Sequence, residues 1–284
     1  MVDGMGAERR LRRLVPADRP ALWLPLDDGL ISGPEDHLRD VRDLLSRDVV
    51  ENVTAVLGFR GSIATAHKEL VETPVVMNLS ASTTLVDHTR KVAVGSVLEA
   101  VHAGAEAIAC HVNLTSPYEA EQLEMLSRRV SEAAPFGMPV VAFAYPRGRN
   151  PLGGDDNHLD LRDQSPADFA TLVRHGVRAV VELGANVVKT IYTGSVESFR
   201  TVVDSAMDVP VLIAGEALTD EAEAITKAVQ AVEAGASGVA YGRQIFARHH
   251  PASFLSKLRG RLDTVNDLPI EGRTPVPTGA NQRW

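Results

Sequence analysis

Lys189 is the residue whose setting first asks for a chemical explanation. The chain carries 24 arginines and only five lysines, yet one lysine stands inside the apolar run Val187-Val188-Lys189-Thr190-Ile191. Desolvation disfavours a charged ammonium, so an amine in apolar surroundings offers its lone pair more readily. Such an amine attacks a ketone and forms a Schiff base. At this position alone, a structural ion pair with Asp27, Asp28 or Glu182 competes equally. Tyr145 and Asp27 shift the balance. A Schiff-base aldolase moves protons when the carbinolamine forms, when it loses water and when the carbon–carbon bond breaks. A tyrosine and an aspartate at the mouth of the same site can carry them. Taken singly, Tyr145 reads as a rim aromatic and Asp27-Asp28-Gly29 as turn chemistry. The three together are harder to explain away.

These residues need elements that bring them to one place. Eight apolar runs of strand length recur along the chain: Ala21–Asp28, Thr54–Phe59, Pro74–Ser80, Ala107–Asn113, Pro139–Pro146, Asn186–Tyr192, Val209–Gly215 and Gly238–Arg243. They are continuous rather than alternating, as in strands buried on both faces. Between them lie the amphipathic stretches Glu35–Arg47, Ser96–Ala103, Pro117–Ala134, Ala167–Leu183, Val196–Ala206 and Asp220–Glu233, with a weakly patterned one at Gly61–Val71. Ser116-Pro117 and Ser165-Pro166 read as helix starts. Gly104, Gly184 and Gly235 stand where a left-handed residue closes a helix. This rhythm over about 240 residues predicts an α/β fold of the (β/α)8 TIM-barrel type. A doubly wound sheet competes, but no GxGxxG follows the first run. The barrel is expected over residues 19–262, as a single domain. Residues 1–18 are expected to form a flexible arm or a short helix, and the proline-containing 263–284 an extended tail, in which Trp284 could meet a neighbouring subunit.

A barrel places its active site at the C-terminal strand ends. The first strand then offers Asp27 and Asp28, the fourth His111 and Asn113, and the fifth Tyr145 and Arg147. The sixth offers Lys189, the seventh Gly215 and Glu216, the eighth Gly242 and Arg243.

Composition limits the partners. Lys+Arg 29 against Asp+Glu 37 gives a net charge of −8, which argues against a nucleic-acid or anionic-membrane binder. No run approaches the ~20 apolar residues of a membrane span. The basic N-terminal stretch is not followed by an apolar segment, so no secretory leader is expected. The single cysteine, Cys110, reads as a core thiol, and a reducing, cytoplasmic setting is expected.

The same residues resemble the class I aldolase family that includes archaeal-type fructose-bisphosphate aldolase and 2-amino-3,7-dideoxy-D-threo-hept-6-ulosonate synthase. The resemblance spans about residues 21–260. It is carried by Pro25-Leu26-Asp27-Asp28-Gly29 with Gly33-Pro34, by Leu79-Ser80-Ala81-Ser82-Thr83, and by Ala144-Tyr145-Pro146-Arg147-Gly148. It continues through Glu182-Leu183-Gly184-Ala185, Val188-Lys189-Thr190-Ile191-Tyr192, Ile213-Ala214-Gly215, Gly238-Val239-Ala240 and Gly242-Arg243. It implies Lys189 as Schiff-base lysine, Tyr145 as general acid/base and Asp27 as assisting carboxylate. Asp28, His111 and Arg147 are expected to contact substrate. A substrate phosphate is implied near Gly215, Gly242 and Arg243. No metal or other cofactor is implied, and a homo-oligomer, commonly a decamer in the family, is. The chain departs from the family at Asp28, where a histidine is usual, and at Glu216, where a carboxylate stands beside the expected phosphate. Either Glu216 turns away or the substrate differs.

The resulting expectation is an aldolase of the aminodeoxyheptulosonate-synthase type, with fructose-bisphosphate aldolase second. A metal-dependent lyase using His111, Asp28 and carboxylates of the loop Arg147–Gln164 is the competing chemistry, and a metabolite-binding barrel without catalysis the competing class. That loop also reads as a lid or an oligomer contact.

Overall fold

All eight apolar runs form strands in a computed structural model of the chain, which describes residues 4–33, 38–150 and 155–266. The barrel strands are β1 (Ala21–Pro25), β2 (Ala55–Gly58) and β3 (Val75–Asn78), then, past a small hairpin of β4 (Ser80–Ala81) and β5 (Val92–Ala93), β6 (Ala107–Leu114) and β7 (Val140–Pro146). A second hairpin, β8 (Gly148–Arg149) with β9 (Asp155–Asp156), precedes β10 (Val187–Thr190), β11 (Val211–Ala214) and β12 (Gly238–Ala240). The eight long runs pair in parallel and close in the order β1-β12-β11-β10-β7-β6-β3-β2, which is a (β/α)8 barrel.

Each predicted stretch but one carries a single helix, although the start expected at Ser116-Pro117 falls at Glu119, and further helices form outside the predicted stretches. Helix α1 (Met5–Leu14) is the helical form of the two expected for the N-terminal arm. Over the described part of the stretch 35–47 no single helix runs. Short turns occupy this region: α2 (Asp28–Ile31) ahead of the stretch, α3 (Val41–Leu44) within it and α4 (Arg47–Val50) at its end. Asp40 accepts from the Arg42 N–H at 3.0 Å and so starts a new helix mid-stretch, and the extended Ser46 restarts it once more. α5 (Arg60–Thr65) covers only the first part of the weakly patterned stretch. α6 (Val97–His102), α7 (Glu119–Ala133), α8 (Leu159–Gln164), α9 (Pro166–Glu182), α10 (Val196–Asp204) and α11 (Glu221–Glu233) complete the ring, and α12 (Arg243–Phe246) and α13 (Pro251–Asn266) follow β12. α13 runs past residue 263 because Leu262 and Val265 continue its buried stripe. Trp284 lies outside the described residues. Gly104, Gly184 and Gly235 take φ of 73°, 95° and 104°, the left-handed closure predicted for them.

Side chains alternate along each strand, and that parity sorts the core into two layers. Leu22, Leu24, Val188 and Ile213 face outward into the helix layer. Ala21, Trp23, Ala107, Ala109, Val141, Phe143, Val187, Leu212 and Ala240 face inward and fill the barrel. Leu14 of α1 joins that inner cluster, and the Trp23 Nε1–H donates to the Leu14 carbonyl at 2.8 Å, so α1 plugs the N-terminal face. Continuing the inward parity toward the C-terminal face brings Asp27, Asn78, His111, Tyr145 and Lys189 above that apolar filling.

Candidate active site

The C-terminal face opens into a cavity of about 480 Å³. All nine predicted site residues line it: Asp27, Asp28, His111, Tyr145, Arg147, Lys189, Gly215, Gly242 and Arg243.

Lys189 is in register with Phe143 of β7, and its Nζ lies 4.6 Å from the centroid of the Phe143 ring. Its surface is only 7% exposed. The ion-pair alternative does not hold. Among the described residues no carboxylate lies within bridging distance of Lys189, since Asp28 pairs with Arg243 Nε at 3.1 Å and Glu182 with Arg178 Nη2 at 2.7 Å. Asp27 instead accepts from Asn78 Nδ2 at 2.9 Å.

One inward position above Phe143 comes Tyr145. Burial raises its phenol above the ordinary value; the neighbouring Lys189 and Arg147 oppose that rise and Asp27 adds to it. The phenol therefore remains protonated at neutral pH and is available as a proton donor. His111 is buried, its ring edge-on to Phe143 at 4.6 Å. Ser80 Oγ accepts from the His111 backbone N–H at 2.8 Å and lies 3.0 Å from Nδ1. Burial first, then the charges of Lys91, Lys189 and Arg147, hold His111 well below the ordinary histidine value, so it is a neutral imidazole.

Arg147 reaches the cavity from the loop after β7. Its Nε donates to Asn157 Oδ1 at 2.6 Å and its Nη1 to His88 Nε2 at 2.7 Å, with the guanidinium 5.4 Å from the Tyr145 ring centroid. His88 is lowered to about 3 by burial and by the charges of Lys91, Arg147 and Arg243. The predicted long loop is thus partly structured. Hairpin β8–β9 and helix α8 lean on the mouth through Arg147–Asn157 and through Arg162 of α8.

The opposite wall is built on β11 and β12. A Cβ on Gly215 would stand 2.9 Å from Gln244 Cγ, and one on Gly242 3.2 Å from the Pro25 carbonyl, so the absence of a side chain at both positions lets these loops lie close to the barrel rim. Buried Gln244 donates from Nε2 to the Gly215 carbonyl at 3.0 Å and also to Ala217, pinning the loop. Glu216, at φ 57°, stays on the cavity wall, where its charge is answered by two cations. Its carboxylate is held by Arg162 Nη1 at 3.0 Å and Lys227 Nζ at 2.6 Å.

Across the whole cavity six Lys and Arg side chains face four carboxylates, in a chain of net charge −8. The arrangement suits a small anionic substrate held over an amine, a phenol and a carboxylate. Among the described residues no group of three or more His, Cys, Asp or Glu stands together to hold a metal ion, and no helix is long and apolar enough to cross a membrane.

A model of the DeoC/LacD family of aldolases matches residues 21–248. The chain belongs to that family. The aldolase is 36% identical over 254 residues to a 2-amino-3,7-dideoxy-D-threo-hept-6-ulosonate synthase of Halobacterium salinarum, covering 89% of this chain and 90% of the relative. It is 31% identical over 275 residues to a 2-amino-4,5-dihydroxy-6-oxo-7-(phosphonooxy)heptanoate synthase of Streptomyces griseus, covering 95% and 94%. Its fold is similar to that of an archaeal fructose-1,6-bisphosphate aldolase solved with the catalytic Lys covalently bound to the carbinolamine intermediate of the substrate. The TM-score is 0.77 at 28% identity, over 90% of this chain and 99% of that one. The protein is an enzyme of the class I, Schiff-base aldolase type.

Sequence reasoning misses several lining residues of the aldolase: His88, Lys91, Asn157, Arg162 and Lys227. One signal was available. Three of the chain's five lysines, Lys91, Lys189 and Lys227, line this one cavity, so the scarcity of lysine that singles out one of them marks the other two as well.

Proposed function

We propose that this aldolase joins a ketone phosphate to an aldehyde through a Schiff base on Lys189, in the manner of an aminodeoxyheptulosonate synthase. The observation that carries the reading is Lys189 itself: a buried amine without a carboxylate partner among the described residues, facing a cavity that also presents Tyr145 and Asp27. Nζ attacks the ketone carbon to give a carbinolamine, and loss of water leaves an iminium. Its positive nitrogen draws electrons from the neighbouring carbon, a proton leaves there, and the resulting enamine attacks the aldehyde. Tyr145 and Asp27 serve as the proton carriers in these steps. The phosphate of the ketone is held near Gly215, Gly242 and Arg243, where Glu216 is already neutralised by its two basic partners.

The names of the relatives support a biosynthetic direction. In a 4,5-dihydroxy-6-oxo-7-phosphonooxy product the aldol bond lies between the carbon beside the ketone and the carbon bearing the new hydroxyl. A product of that class would unite a three-carbon keto phosphate with a four-carbon amino-acid aldehyde such as aspartate semialdehyde. Fructose-bisphosphate cleavage is the second reading, favoured by the fold similarity to the archaeal enzyme. A homo-oligomer belongs to the same proposal, since Leu85 and Val86 between β4 and β5 are 89% and 80% exposed.

Borohydride reduces an iminium to a stable amine. Incubation with dihydroxyacetone phosphate and borohydride is expected to inactivate the enzyme and add the donor's mass to the peptide containing Lys189. Fructose bisphosphate and 6-deoxy-5-ketofructose phosphate, tried in the same assay, sort the donors. Lys189→Arg abolishes labelling because a guanidinium stays protonated. Tyr145→Phe slows turnover by ~100- to 10,000-fold in a folded protein. An active preparation that never traps at Lys189 and stops with chelator would overturn the proposal in favour of metal chemistry.

A further inference from the structure

We propose that Ser80 fixes His111 with its ring proton on Nε2, so that His111 holds a substrate oxygen as a hydrogen-bond donor, with Ser80 as its positioning residue. The proton's place follows from counting donors and acceptors. Ser80 is fully buried, so its hydroxyl proton needs an acceptor inside the protein. Among the described residues Oγ meets two partners, the His111 backbone N–H at 2.8 Å and His111 Nδ1 at 3.0 Å. The backbone N–H only donates, so the hydroxyl donates to Nδ1. Nδ1 is then bare, and the neutral ring carries its one proton on Nε2. A proton on Nδ1 would leave the buried hydroxyl proton with no acceptor.

Ser80 is itself held in place. Its backbone N–H donates to Asn78 Oδ1 at 3.1 Å, and Asn78 Nδ2 donates to Asp27 Oδ2 at 2.9 Å. An amide whose oxygen takes a backbone N–H has only its NH2 group left for Asp27, so Asp27 Oδ2 is an acceptor. One buried segment at the end of β3 thus sets both the acceptor at Asp27 and the donor at His111. His111 lines the cavity, and among the described residues no hydrogen bond engages its Nε2. The His111 ring and Lys189 Nζ each lie 4.6 Å from the centroid of the Phe143 ring, and the Tyr145 ring lies 6.5 Å from that of His111. The donor therefore stands beside the amine and the phenol. With Nδ1 committed to Ser80 and Nε2 protonated, the ring has no site left to act as a base. It polarises an oxygen and keeps its proton, while Tyr145 and Asp27 carry protons. The oxygen belongs to the ketone or to the aldehyde. This contact with substrate rests on the Schiff-base reading, whereas the position of the ring proton does not.

Protein labelled with nitrogen-15 histidine is measured at neutral pH by solid-state NMR. The His111 signals, among those of nine histidines, are identified by their loss in His111→Gln or, should that variant fail to fold, by their shift in Ser80→Ala. A bare Nδ1 and a protonated Nε2 are expected, and a protonated Nδ1 overturns the proposal. Turnover is then measured with dihydroxyacetone phosphate and aspartate semialdehyde. The amide N–H of His111→Gln reaches the place of Nε2, whereas that of His111→Asn reaches only the place of Nδ1. His111→Gln is expected to stay within about threefold of wild type and His111→Asn to lose about tenfold or more, as loss of one such donor does. Equal turnover in the two variants overturns the contact with substrate. Ser80→Ala is expected to lose about tenfold as well, and to add little in the His111→Leu background, because it acts through the histidine. Additive losses would make Ser80 structural and overturn its positioning role. Borohydride trapping of dihydroxyacetone phosphate separates the two oxygens: its rate falls in His111→Asn where the ketone oxygen is held and is unchanged where the aldehyde oxygen is. Failure of the wild-type enzyme to trap the donor strikes instead at the Schiff-base reading, and the spectrum still decides where the ring proton sits.

Discussion

His88 and His111 are both kept neutral by burial and by the cations around them, and that neutrality has a consequence for stability. A histidine is ordinarily half-protonated at 6.5, whereas His88 in the fold is lowered to about 3. Between those values the unfolded chain binds protons that the folded chain refuses, so stability rises with pH across the window. The contribution is fully present above 6.5 and is lost as pH falls toward 3. The lowered carboxylate of Glu99 acts in the same direction but only from its ordinary 4.5 downward, so the upper part of the window isolates the histidines. The melting temperature is expected to drop between about pH 6.5 and 5. His88→Asn should flatten part of that drop, and a melting temperature constant over this range in the wild-type chain would contradict the assignment.

At the scale of elements, the barrel seam depends on close backbone approach between β1 and β12. Gly238 pairs with Ala21, and a Cβ there would stand 2.0 Å from the Ala21 carbonyl oxygen at a φ of 149°. Neither strand can retreat without opening the barrel. Gly238→Ala is therefore expected to cost more than about 4 kcal/mol or to prevent folding. Gly260 makes a useful control. It lies on the exposed side of α13, and a methyl added there would meet nothing within 4 Å, so Gly260→Ala should stabilise by up to ~1 kcal/mol through helix propensity. Thermal unfolding of the two variants side by side checks both signs.

At the scale of the whole molecule, the plugged end of the barrel and the candidate cavity lie on opposite faces. Helix α1 closes the N-terminal face, with Leu14 fully buried in the inner cluster beneath Trp23, while the cavity opens at the other end. Leu14→Ala removes core volume at the plug and is expected to cost ~2–5 kcal/mol in chemical denaturation. The initial rate of borohydride trapping at 25 °C should stay within about twofold of wild type, because the strand ends that hold the cavity residues keep their register. A large loss of trapping in a folded Leu14→Ala protein would show that the two faces are coupled.

The apolar runs, their spacing and the glycines that close helices were enough to determine the barrel, because local periodicity and backbone freedom act over a few residues. The convergence of Lys189, Tyr145 and Asp27 on one cavity was legible for a related reason: strand ends converge in a barrel whatever the side chains between them. Other features depended on contacts across the fold. The stretch 35–47 has an amphipathic pattern, but the Asp40 cap divides it, and a cap competes with periodicity only once the backbone is placed. Glu216 reads as an obstacle to an anion in sequence, since its partners Arg162 and Lys227 lie 54 and 11 residues away along the chain. Lys91 and His88 reach the cavity from the excursion between β4 and β5, a segment whose direction no local pattern specifies. Tertiary structure alone decided which charges meet one another and which of them face the cavity, because pairing is set by distance in space and sequence records only distance along the chain.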